Sequence, residues 1–111
     1  MMYDSNEDVL PVTERARCPT HPGTVLREFY LKELGVTITE FAADIGVSRK
    51  AVSAIVNARK SVTAEMAMRF AKATQTSARL WLNLQANYDL WQVAQAKKGF
   101  LDKIRPLAAA T

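Results

Sequence analysis

The sequence predicts an all-α domain of five helices, and three observations carry that expectation. Apolar residues recur at helical spacing in five separate windows. Helix punctuation bounds the windows, with Pro22, Thr39, Ser48, Thr63 and Ser77 in front and Gly35, Gly46 and Gly99 behind. A hydroxyl in front accepts from the unpaired N–H groups of a first turn, and glycine behind takes the left-handed backbone that ends a helix. Finally, 111 residues that are 49% hydrophobic supply one compact core and suggest one domain.

Residues 1–20 lack periodicity and contain Pro11 and Pro19, so they are expected to be a flexible or extended N-terminal arm. Val9, Leu10 and Val12 are its apolar cluster, and it reads equally as a partner-binding arm or a ragged terminus. The domain proper is placed at 21–98. Its first helix starts at Pro22, whose missing N–H has no intrahelical use there, with His21 as a cap. Leu26, Phe29, Tyr30 and Leu34 form the expected core face. Arg27, Glu28, Lys32 and Glu33 point away, and Glu28 with Lys32 makes an i,i+4 ion pair worth roughly 0.2–0.5 kcal/mol. Gly35 ends the helix.

The stretch Ile38 to Asn57 then reads as two short helices and a tight turn. Thr39 is the expected cap of the first, and Phe41, Ala42 and Ile45 lie on one face. Gly46 and Val47 make the turn. Ser48 caps the second helix, which buries Val52, Ile55 and Val56. Ala42 and Ala51 are small where two helices crossing at about 90–120° would touch, as a helix-turn-helix requires. The other side of the second helix carries Arg49, Lys50, Ser53 and Asn57, followed by Arg59 and Lys60, and no acidic residue occurs from Val47 to Ala64. Such a cationic, hydrogen-bonding face suits a major groove. The competing reading is a solvated basic face on a protein-interaction module.

A fourth helix follows the Thr63 cap, with Glu65 in its first turn and Ala67, Phe70, Ala71 and Thr74 on its buried side. Ser77 caps the fifth and longest, running to about Lys98. It carries two apolar stripes: Leu80, Leu84, Tyr88 and Trp91, and, about 200° away, Leu82, Ala86, Leu90 and Val93. One stripe suffices for the core, so the second is expected to be a homodimer interface. Trp81 and Trp91 are anchors in core or interface. Residues 99–111 form a C-terminal tail in which Leu101, Ile104 and Leu107 offer a further apolar turn.

Charge and composition narrow the function. The net charge of +4 divides into −2 over residues 1–20 and +6 over the remainder, an acidic tail on a basic domain compatible with nucleic-acid binding. One histidine, His21, and one cysteine, Cys18, cannot complete a zinc site, and there is no Gly-rich phosphate loop. No cofactor, metal, small-molecule substrate or catalytic residue is expected. A single thiol, no apolar run of membrane length and no leader-like N-terminus fit the cytoplasm.

Three stretches, HPGTVLREFYLKELGVT at 21–37, GVSRKAVSAIVNARKSVTAEMAMRFAKAT at 46–74 and SARLWLNLQANYDLW at 77–91, resemble the HigA antitoxin family, also called virulence-associated protein I. The layout is similar to the phage-repressor type of helix-turn-helix domain, with a long C-terminal dimerisation helix. The resemblance implies a homodimeric antitoxin of a type II toxin–antitoxin pair. It would repress its own operon at a palindromic double-stranded operator and neutralise a HigB-type toxin, a RelE-like mRNA endonuclease. It implies DNA-facing positions at Ser48, Arg49, Lys50, Ser53 and Asn57, with Thr39, Arg59 and Lys60 near phosphates. Arg49 and Lys50 are the expected base readers, because both donate to guanine O6 and N7. A stand-alone repressor without a toxin is the alternative.

Overall fold

A computed structural model describes residues 11–107. Five helices form, and the described residues contain no strand. Helix α1 is continuous from Pro22–Leu26 through a π turn at Arg27–Leu31 to Lys32–Leu34. The others are α2 (Ile38–Ile45), α3 (Arg49–Val56), α4 (Ala64–Thr74) and α5 (Ala78–Ala96). Short 3-10 turns occur at Val12–Glu14 and Phe100–Lys103.

The punctuation works locally almost as read. His21 Nδ1 accepts from the Gly23 N–H, and Ser48, Thr63 and Ser77 accept from Ala51, Met66 and Leu80. Gly35 and Gly46 end α1 and α2 in the left-handed conformation. The cap of α2 is Thr37, not Thr39. Thr37 Oγ1 accepts from Glu40 N–H, and the Glu40 carboxylate accepts from Thr37 N–H, a reciprocal capping box. That backbone N–H is the main reason the Glu40 carboxyl lies below its usual pKa.

The core joins all five helices. Phe41 of α2 meets Phe70 of α4 edge-on at 5.7 Å, Phe70 meets Trp81 of α5 at 5.3 Å, and Trp81 lies 5.8 Å from Tyr30 of α1. Trp81 is fully buried, and its indole N–H donates to Thr76 Oγ1 at 2.8 Å, so the largest side chain of the core leaves no polar atom unpaired. Leu26, Val52, Ile55, Val56, Val62 and Ala67 close the rest.

Two apolar faces differ from the sequence expectation. In α1, Phe29 and Leu34 are 61% and 72% exposed, while Leu26 and Leu31 are buried. The π turn is the cause: it aligns residues five apart, so the core line runs Leu26–Leu31 and not along the 3.6-residue stripe. In α5, Leu80 lies at the edge of the buried face. Its centre is Trp81 and Gln85, with Leu84, Tyr88 and Trp91 half-buried beside them.

The arm also differs. Residues 1–10, with Val9 and Leu10, lie outside the described residues. Residues 11–20 are not free: Trp91 Nε1 donates to the Arg15 carbonyl at 2.8 Å, Gln92 Nε2 donates to Cys18 Sγ at 3.4 Å, and the Val12–Glu14 turn packs on α5. Trp91 is therefore an anchor for this segment. In the tail, Leu101, Ile104 and Leu107 are exposed.

Candidate nucleic-acid interface

The interface starts from how α3 is seated. Val52, Ile55 and Val56 are buried, which turns Lys50, Ser53, Ala54 and Asn57 outward at 100° per residue and leaves Arg49 on the shoulder next to α2. Four contacts hold α3 and the segments that enter and leave it. Val47 N–H donates to the Ala42 carbonyl across the turn. Arg27 Nη1 donates to the Val56 carbonyl. A Cβ on Gly23 would overlap the Ile55 carbonyl oxygen, so α1 approaches the end of α3 as closely as only glycine permits. Finally, Gln85 of α5 accepts from the Val62 N–H at 2.8 Å and donates to Asp89 at 2.9 Å.

Arg49 and Lys50 occupy the first two positions of α3, with no acidic residue in that turn. A cation there opposes the helix dipole, by about 0.3–1 kcal/mol at an exposed site. Helices α2 and α4 do the opposite, with Glu40 and Glu65 in their first turns, and the acid-free first turn of α5 carries one cation, Arg79, where α3 carries two in succession. The two cations are thus placed against the folding preference and in favour of an incoming electron-rich group.

The sequence-identified residues divide into four sets. Ser48 caps α3, and Arg49 and Lys50 are exposed beside it. Thr39 lies in the first turn of α2, where its hydroxyl accepts from Arg49 Nε at 3.1 Å. Asn57 turns back on its own helix, donating to the Ser53 carbonyl at 2.9 Å and to Ser53 Oγ at 3.3 Å. Arg59 and Lys60 are exposed on a loop whose N–H groups return to the Ala54 carbonyl, with Ala58 at φ 59° making the reversal. The two loop cations thereby sit next to the last turn of α3.

The sequence reading missed Ala54, which stands on the outward line between Lys50 and Asn57. Its small side chain borders a largely apolar groove of about 350 Å³ flanked by Lys50 and Lys60, with Ala51 and Met66 in its wall. The i+4 spacing from Lys50 was the available signal. Ala51 is half-buried in this wall, whereas Ala42 is buried as expected. The sequence reading also missed Gly23 and Gln85.

His21 ties the loop to the scaffold. Its ring meets Tyr88 of α5 edge-on at 4.8 Å. Since Nδ1 accepts from Gly23, the neutral ring carries its proton on Nε2, the nitrogen left for its backbone hydrogen bond with Lys60. Burial lowers its pKa, against the opposing effects of Asp89 and of Lys60. Among the described residues no group of three or more His, Cys, Asp or Glu side chains is arranged to hold a metal, and no helix is long and apolar enough to cross a membrane.

On α5, Leu82 leans on the protein's own core, while Ala86, Leu90 and Val93 are exposed, the latter two by 51% and 45%.

Fold and site together define a helix-turn-helix protein with a cationic second helix. A helix-turn-helix family model matches residues 26–81. The uncharacterized HTH-type transcriptional regulator YbaQ of Escherichia coli is 45% identical over 80 residues, covering 72% of this chain and 71% of that protein. Virulence-associated protein I of Dichelobacter nodosus is 33% identical over 99 residues, covering 89% and 91%. Antitoxin HigA of Pseudomonas aeruginosa, solved with the higBA promoter, superposes with a TM-score of 0.75 at 36% identity, covering 80% of this chain and 98% of that one. The chain belongs to the helix-turn-helix family, among the HigA-type antitoxins and virulence-associated proteins.

Proposed function

We propose that this chain is a self-repressing antitoxin. As a homodimer it binds a palindromic operator in its own promoter through α3. It also neutralises a HigB-type toxin, a RelE-like mRNA endonuclease, to which any catalysis belongs; its own work is binding, in the cytoplasm. The observation that carries the DNA half is the acid-free end of α3, where Arg49 and Lys50 stand against the helix dipole. The likeness to the HigA solved with its promoter supports the same assignment. Arg49 and Lys50 read bases, Ser53 meets a base or phosphate, and Ser48, Asn57, Arg59 and Lys60 hold the backbone. Two copies joined along Ala86, Leu90 and Val93, with Leu82 at the margin, would present their α3 helices to half-sites about 10–10.5 bp apart or a multiple of that.

A second reading is a repressor with no toxin, in line with the likeness, at 45% identity, to a protein named only as a transcriptional regulator. A mobility-shift titration on the protein's own upstream DNA, with and without the product of the adjacent gene, separates them. The antitoxin reading expects a specific shift that the neighbour's product alters. A shift indifferent to it supports the plain repressor, and no specific shift overturns both.

A further inference from the structure

Three arginines anchored in the helical scaffold use their guanidinium groups differently. Arg69 spends all three nitrogens inside the fold: Nη1 donates to the Ile45 carbonyl at 2.6 Å, and Nε and Nη2 donate to Glu65. Arg27 gives Nε to Glu28 and Nη1 to the Val56 carbonyl. Arg49 gives only Nε, to Thr39 Oγ1 at 3.1 Å. Among the described residues neither of its terminal amino groups has a partner. Nor, among the described residues, does it have a carboxylate partner to neutralise its charge.

A guanidinium can engage the O6/N7 edge of guanine side-on, through Nε and one terminal nitrogen, or end-on, through both terminal nitrogens. The bond to Thr39 consumes Nε and leaves the end-on pair free. Thr39 sits on α2, and its hydroxyl is not spent on capping, because Thr37 does that. A hydroxyl also holds the arginine without discharging it, as a carboxylate would.

We infer that Thr39 is a positioning residue for base reading: it holds Arg49 so that the two terminal amino groups meet one guanine of each half-site end-on. This rests on the DNA-reading proposed above and replaces, for Thr39, the phosphate contact expected from the sequence. Holding a flexible side chain before binding removes part of the ordering cost at the moment of contact. The effect should therefore be confined to the base pair that Arg49 reads.

The test uses the full-length protein and a duplex from its own upstream region, cut to the footprinted half-sites. Guanines are replaced one at a time by 7-deazaguanine, which lacks N7, and affinity is measured at two salt concentrations. Wild type should lose affinity at one guanine per half-site, and Arg49→Ala should abolish that sensitivity. Thr39→Val, close in shape but without the hydroxyl, should weaken binding roughly three- to ten-fold, the range for ordering one more flexible side chain on contact. It should shrink the penalty at that same guanine and leave the salt slope unchanged, and Thr39→Ser should restore both. If Thr39→Val instead weakens every duplex alike and leaves the full 7-deazaguanine penalty at that guanine, Thr39 is a phosphate contact and the inference is overturned. Wild-type binding that does not distinguish this duplex from a scrambled one overturns the DNA reading itself.

Discussion

Helices α3 and α5 each bury one face in the same core, and they differ in what they turn outward. The outward side of α3 is polar and small, with Lys50, Ser53, Ala54 and Asn57 and with Arg49 on its shoulder. That of α5 carries Leu90 and Val93, and the chain beyond it adds exposed Leu101, Ile104 and Leu107. A surface of uncompensated cations gains by meeting an anion, and one of branched aliphatic groups gains by meeting another apolar surface. The contrast supports the proposal that α3 meets nucleic acid and α5 meets protein.

The two surfaces share a scaffold, and breaking it should abolish both. Trp81→Ala, at the fully buried centre of the aromatic chain, should cost about 3–5 kcal/mol, read as a lowered midpoint in denaturant unfolding. Loss of that order would show that the two faces depend on one core; little loss would separate them.

Leu90→Asp should sharpen the contrast. The residue is 51% exposed, so the stability of each chain should change by no more than about 0.5 kcal/mol. Sedimentation should nevertheless show monomers, and operator binding should fall with the second half-site. A variant that still sediments as a dimer would remove this stripe from the interface.

Within the polar surface the effects should divide by chemistry. Arg49→Ala should cost about 1–3 kcal/mol of operator affinity and relax preference at one base pair per half-site. Lys60→Ala should weaken specific and non-specific duplexes alike and reduce the magnitude of the salt slope by about one, measured by titration at several salt concentrations.

The smallest effect concerns the link between the surfaces. His21 is buried and neutral, and its folded-state pKa lies below the ordinary 6.5. The unfolded chain therefore takes up the proton first as pH falls. The stability that His21 contributes is complete above pH 6.5 and is lost as the pH drops from there through the lowered folded value. Unfolding from pH 8 to 5 should show this decline, reduced in His21→Asn.

What was legible in the sequence was local. Pro22, Ser48, Thr63 and Ser77 act within one turn of themselves, and Gly35 and Gly46 within one residue, so spacing alone placed five helices. The pair Thr37–Glu40 was readable as T-x-x-E, but the neighbouring Thr39 resembles it and only the position of the glutamate separates the two. The π turn could not be read, because helical periodicity assumes 3.6 residues per turn; hence Phe29 and Leu34 were assigned to the core. Gln85 was hidden by its polarity on a buried line, and Gly23 by the fact that the atom it makes room for is 32 residues away. In the candidate site, the residue types of α3 were legible, since a cationic amphipathic helix declares its faces. The tether from Arg49 to Thr39 was not, because it exists only once α2 and α3 are packed.

The most direct test of the two-surface dimer is operator binding as a function of half-site spacing. Inserting five base pairs between the footprinted half-sites turns one of them by about half a helical turn, away from the second α3. A rigid dimer joined through α5 should lose most of its cooperative affinity, and inserting ten or eleven base pairs should restore part of it. Equal binding to all three spacings would contradict a dimer that reads two grooves together.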